Sequence, residues 1–178
     1  FHDTDKISVV SLRNKLSFDW NKAVRNISFY RNYYYSKKYP LDSAINISIK
    51  KLYETHKLKP QKDEFCAGMY VLNVNNFYKK LTKWFYKYKK DLFSITGGGE
   101  QTHFNYEVQK NKKVKFIDYK FQAIWVFEIA IYYPFLYETK SIRNNEITKS
   151  IVTSLKNNYF LHFAGTWHEG QMWKNTKI

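Results

Sequence analysis

Four stretches of the chain combine residue types that can do chemistry. Asp3-Thr4-Asp5 puts two carboxylates one residue apart at the start of an apolar run. Such a pair can converge on one hard cation, Mg²⁺ or Mn²⁺, which in turn can hold a diphosphate; two solvated acids is the plainer alternative. Gly97-Gly98-Gly99 leads into a helical pattern that opens with Glu100-Gln101. Backbone N–H groups at such a turn, with the helix dipole, can cradle a phosphate or let a sugar approach closely. The turn matches neither G-x-x-x-x-G-K-[ST] nor G-x-G-x-x-G, and a Glu in the first turn is favoured by the dipole in any case. Phe65-Cys66-Ala67-Gly68 begins an apolar run in which Gly68 permits a close backbone approach. Finally, His162-Phe163-Ala164-Gly165 is followed by Trp167, His168 and Glu169. A lone His in an apolar strand is more often a satisfied core residue, but two His, a Trp and a Glu within eight positions suit metal or phosphate binding.

The elements that would position these groups follow from periodicity. Residues 6–12 read as a short strand, and 26–40, ending at Pro40, as an irregular excursion. Ser43 is placed to cap a helix carrying Ile45, Ile49, Leu52 and Tyr53 and ending before Pro60. Residues 65–74 read as a buried strand. Asn75 or Asn76 then caps an amphipathic helix with Phe77, Leu81, Trp84, Phe85 and Tyr88 on one face and lysines on the other, which is ordinarily a solvated surface. A helix over 100–110 with Phe104 and Val108 inward, a strand over 114–118, a helix carrying Ile147, Ile151, Val152 and Leu155, and a strand over 159–163 complete the pass. Strands alternating with helices predict a layered α/β fold, and no internal repeat divides it. One domain is expected.

Composition bounds the partners. The 178 residues are 44% hydrophobic and 20% aromatic, enough for a packed core and incompatible with disorder. A single cysteine, Cys66, excludes a disulfide framework. Lys+Arg 30 against Asp+Glu 15 gives +15, so an anion is expected as partner. Only Arg13, Arg25, Arg31 and Arg143 are arginines, however. Readers of bases and phosphates lean on the arginine fork, so the lysine excess is weak evidence for nucleic acid, and none is expected. The stretch 121–137 is interrupted by Glu128 and Pro134 and is too short for a membrane span. No signal peptide opens the chain at Phe1, and the start reads as a cut through a longer protein, a chosen boundary or the first ordered residue. A cytoplasmic location is expected, with a lysine-rich face able to rest on anionic lipid at a membrane periphery.

Taken in order, D-x-D, F-[NC]-[AS]-G, G-[DE]-Q with a downstream Asn, and H-F-x-G resemble the family 8 glycosyltransferases, the glycogenin-like and lipopolysaccharide nucleotide-sugar transferases. Here the pieces are Asp3-Thr4-Asp5, Phe65-Cys66-Ala67-Gly68, Gly99-Glu100-Gln101 with Asn105, and His162-Phe163-Ala164-Gly165. The resemblance implies a GT-A fold, a mixed sheet flanked by helices, here without part of its N-terminal nucleotide-binding half. It implies transfer, with retained anomeric configuration, from a UDP-sugar to a glycan, glycolipid or protein acceptor. Asp3, Asp5 and His162 would ligate Mn²⁺ (or Mg²⁺); Cys66, Ala67 and Gly68 would line the sugar pocket; Glu100 and Gln101 would face the anomeric carbon. Gly98, Gly99 and Asn105 would contact donor, and the loop of Gly165, Trp167 and His168 would close on the phosphates. Cys66 stands where the family usually has Asn, Glu100 where it has Asp, and Lys-Pro-Trp is missing after the H-F-x-G.

Two further readings come from other classes. Lysines interleaved with aromatics could form a nucleic-acid or anionic-surface binding module. A transferase-like domain that has lost catalysis and serves interaction is the other.

Overall fold

The computed structural model describes residues 4–35, 47–92, 99–137 and 144–163. It is a mixed α/β chain with a small mixed sheet flanked by helices, and it divides into two compact units. One contains Phe1–Leu16 and Asp42–Asp118, the other Ser17–Leu41 and Tyr119–Ile178.

The first unit is built on the strand β1 (Ile7–Ser11), buried along its whole length. Its β-branched residues suit a central strand covered on both faces. On one side it pairs antiparallel with β2 (Phe65–Val71), on the other parallel with β3 (Val114–Ile117), giving the order β2-β1-β3. Ile7, Val9 and Phe65 form a core with Phe77 of helix α3 (Val74–Leu92) and Val108 of helix α4 (Gly99–Lys110). Asn73 caps α3, its Oδ1 accepting from Asn76 N. The short helix α2 (Ile49–Thr55) starts at Ser48, whose Oγ accepts from Lys51 N. Ser43 and Ile45, expected in that helix, lie outside the described residues.

Helices α2 and α4 stop in the same way. Lys57 N bonds to Glu54 O and Leu58 N to Tyr53 O; Lys112 N bonds to Gln109 O and Lys113 N to Val108 O. This is the Schellman arrangement, with Lys57 (φ 56°) and Lys112 (φ 55°) in the left-handed position that Gly usually fills.

In the second unit, helix α1 (Trp20–Tyr35) and helix α5 (Trp125–Tyr132) pack together, and Asn26 Nδ2 donates to Ala130 O at 2.8 Å. The irregular excursion expected over 26–40 is thus corrected as far as Tyr35. Asp19 accepts from Asn21 N and starts the helix, while Ala23 and Ile27, one turn apart, are fully buried. That spacing outweighs the poor helix propensity of the Tyr- and Asn-rich sequence. Trp125, Ile129 and Tyr137 join Ile147 and Ile151 of helix α6 (Asn144–Asn157) in the unit's core. Strands β4 (Ala123–Ile124) and β5 (Leu161–His162) form a parallel pair with Ile124 opposite His162.

Three expected core residues face solvent: Phe85 of α3 and Val152 and Leu155 of α6. In α6 the inward row is Ile147, Ser150, Ile151 and Ser154, because Ser154 Oγ donates to the buried Glu128.

Candidate functional site: a bulged strand held by amide side chains

β2 departs from regular pairing within the segment that the sequence singles out. Val9 opposes Tyr70 and Ser11 opposes Phe65, so β2 carries three surplus residues where β1 has only Val10 between the paired positions. The surplus falls within Cys66–Met69. A bulge of this kind bends the strand and re-aims its side chains, and bulges are over-represented beside active sites. Cys66 is buried, Ala67 half-buried and Gly68 exposed. Gly68 has no Cβ to limit how closely a ligand approaches this backbone.

The outer edge of β2 is covered by α4 through a column of amide side chains. Gln101 Oε1 accepts from Ala67 N at 3.0 Å. Asn105 clasps Phe65, its Oδ1 accepting from the N–H and its Nδ2 donating to the C=O, both at 2.8 Å. Gln109 accepts from Asp63 N and donates to Asp63 O. The fit is geometric. Four helical residues rise about 6 Å and two strand residues about 6.6–6.8 Å, so residues at i, i+4 and i+8 can match alternate residues of an adjacent strand.

A second chain of contacts reaches the bulge from the end of β1. Gln101 Nε2 donates to Glu64 Oε1 at 3.1 Å. Glu64 pairs with Arg13 at 2.9 Å, with only 4% of the Glu64 and 7% of the Arg13 side chain exposed, and Arg13 also donates to Ile47 O. Burial pushes the Glu64 carboxyl up, and the Arg13 guanidinium opposes that shift. Next to it, Asp63 is pushed up by burial and accepts from Ser11 Oγ at 2.8 Å. Tyr53 OH donates to Asp63 O, and burial raises its phenol pKa. The amide that holds the bulge is therefore fixed on both of its polar atoms.

The other expected site residues fall as follows. Asp5 is exposed just before β1, and Asn76 Nδ2 donates to the neighbouring Thr4 O at 3.0 Å. Gly99 and Glu100 open α4; their side-chain environments, like Asp3, Gly98, Gly165, Trp167 and His168 altogether, lie outside the described residues. His162, in the second unit, is half-buried, and burial holds its imidazole below the ordinary histidine range. Its Nδ1 lies 2.8 Å from the amide nitrogen of the buried Gln122, whose Oε1 has no hydrogen-bond partner. Within the first unit, Asp5 offers an exposed carboxylate, a donor type that Mn²⁺ accepts. Among the described residues no three His, Cys, Asp or Glu side chains gather as a metal site.

The sequence reading missed Arg13, Glu64, Gln109 and Tyr53. The signal for Gln109 was present: Gln101, Asn105 and Gln109 recur at i, i+4 and i+8. Arg13 is one of four arginines and Glu64 directly precedes Phe65, but their pairing depends on the strand register.

Compared with family models, curated proteins and solved structures, the chain matches none.

Proposed function

We infer that this chain is a metal-assisted glycosyltransferase domain of GT-A type, which takes a sugar from a nucleoside diphosphate donor such as a UDP-sugar. The observation that carries the reading is the bulge at Cys66–Met69 with its amide support. Two stretches singled out separately for the sugar pocket, 65–68 and 99–105, are in direct contact through Gln101–Ala67 and Asn105–Phe65. The side-chain amides of Gln101, Asn105 and Gln109 are each bonded through both oxygen and nitrogen, which favours a fixed wall over a flexible loop.

In this reading the backbone of Ala67 and Gly68 gives the sugar room. Gln101 is a positioning residue, since its amide is occupied by Ala67 N and Glu64 and acts by holding the bulge in place. Asp5 is the described carboxylate that would hold the cation; Mn²⁺, when bound, neutralises charge on the leaving diphosphate. Transfer breaks the bond between the anomeric carbon and the diphosphate oxygen and forms one to an acceptor hydroxyl, whose proton passes to the leaving diphosphate. The acceptor is a glycan, glycolipid or protein hydroxyl.

Calorimetric titration with UDP, in Mn²⁺ and in chelator, tests the donor site; binding should require the metal and weaken on Asp5→Asn. Gln101→Ala should lower sugar transfer at least about tenfold while UDP affinity changes little. Metal-independent binding, or unchanged transfer by Gln101→Ala, overturns the reading.

A further inference from the structure

The geometry points to a second function of the first unit: the outer side of α3 is a docking surface for an anionic lipid bilayer. The helix sequence carries six lysines and one aspartate. Phe77, Leu81, Trp84 and Tyr88 turn toward the core. Beside that packed face runs an exposed apolar and aromatic arc, Val74 (66% exposed), Tyr78 (63%), Phe85 (49%) and Tyr86 (65%). Tyr70 and Val71, just before the helix, add exposed apolar surface at its N-terminal end. Lys79 and Lys83, both exposed, flank the arc on its far side.

A nineteen-residue helix is about 28 Å long, and rings exposed along it in line with lysines have the make-up of a helix lying in a membrane interface. There the apolar arc enters the boundary of headgroups and acyl chains, the phenols stay at headgroup level, and the lysines meet anionic lipid. Charge complementarity selects the partner, because the helix surface is cationic within a chain of net charge +15. Single-stranded nucleic acid fits the shape less well. Proteins that bind it combine a charged groove with stacking platforms, whereas these rings project from the convex side of one helix.

Cosedimentation with vesicles of phosphatidylcholine alone, and of phosphatidylcholine with phosphatidylserine, is the test, with circular dichroism as a check of folding. The protein should pellet with the anionic vesicles, less so as salt rises. Lys79→Glu with Lys83→Glu should weaken binding at least about twenty-five-fold, from about fivefold per lysine. Tyr78→Ser with Phe85→Ser should weaken it without changing the net charge. Lys149→Glu with Lys156→Glu on α6 makes the same change of charge on exposed lysines elsewhere and should have a much smaller effect. Equal losses from the two lysine pairs would mean diffuse attraction and overturn the assignment to α3. Failure to bind the anionic vesicles, or tighter binding to oligo-deoxythymidine than to them, would overturn the lipid proposal. The result is independent of whether UDP binds.

Discussion

Two buried glutamates show how differently the same side chain is accommodated. Glu64 has a guanidinium at 2.9 Å, and removing one member of so buried a pair typically costs about 3–5 kcal/mol. Glu128 has hydroxyl and amide partners only: Tyr119 OH at 3.1 Å, Ser154 Oγ at 2.9 Å and Asn158 Nδ2 at 3.4 Å. Burial outweighs those bonds and raises its pKa above the ordinary glutamate range. The protonated form is therefore the one that the fold favours. That stability is fully present below the unfolded-state pKa and is lost as the pH rises through the higher folded-state value. Glu128→Gln removes the titration and keeps the shape. Urea midpoints of the two proteins should shift in favour of the glutamine variant as the pH rises from the acid side of the glutamate range to neutrality. A difference that stays constant with pH would show that burial does not govern this carboxyl.

At the scale of elements, the amide column on α4 makes a helix stand in for a neighbouring strand and closes the β2 edge, which would otherwise be open to pairing with another chain. Asn105 has the central place in it. In Asn105→Leu both the N–H and the C=O of the buried Phe65 lose their partner, at about 1–3 kcal/mol each. The variant should lose at least about 2 kcal/mol in urea unfolding, and the Phe65 amide should exchange with solvent faster while that of Val9 stays protected. Unchanged Phe65 protection would mean that the clasp does not hold the edge. The sequence carried part of this. Strong apolar periodicity marked α3, Phe104 and Val108 marked α4, and the F-C-A-G and G-E-Q patterns pointed to Phe65–Gly68, Gln101 and Asn105. It hid α1, where two buried positions organise a polar, tyrosine-rich stretch. The end of α4 at Lys110 was legible, but the left-handed caps at Lys57 and Lys112 were not, because lysine replaces the usual glycine signal. The bulge and the Arg13–Glu64 pair depend on how β1 and β2 register, which no local pattern encodes.

Over the whole molecule, a net charge of +15 on 178 residues sets the balance between cohesion and repulsion. The Arg13–Glu64 pair is buried and little screened by salt, whereas Lys50–Glu54, at 3.8 Å on the surface, contributes about 0.3–0.5 kcal/mol at most. The lysine excess acts mainly between exposed like charges, over distances comparable with the Debye length of about 10 Å at 0.1 M salt. Repulsion of this kind is relieved when the chain expands, so it penalises the folded state. Raising potassium chloride from a few millimolar to about 0.15 M, where the screening length falls to about 8 Å, should therefore raise the thermal midpoint. Chloride is preferred to sulfate, which would also strengthen apolar burial and confuse the two effects. A midpoint that fell with salt would mean that surface attraction outweighs the lysine excess. The same repulsion is what an anionic ligand or surface relieves, so a thermal midpoint raised by salt also predicts one raised by multivalent anions at much lower concentration.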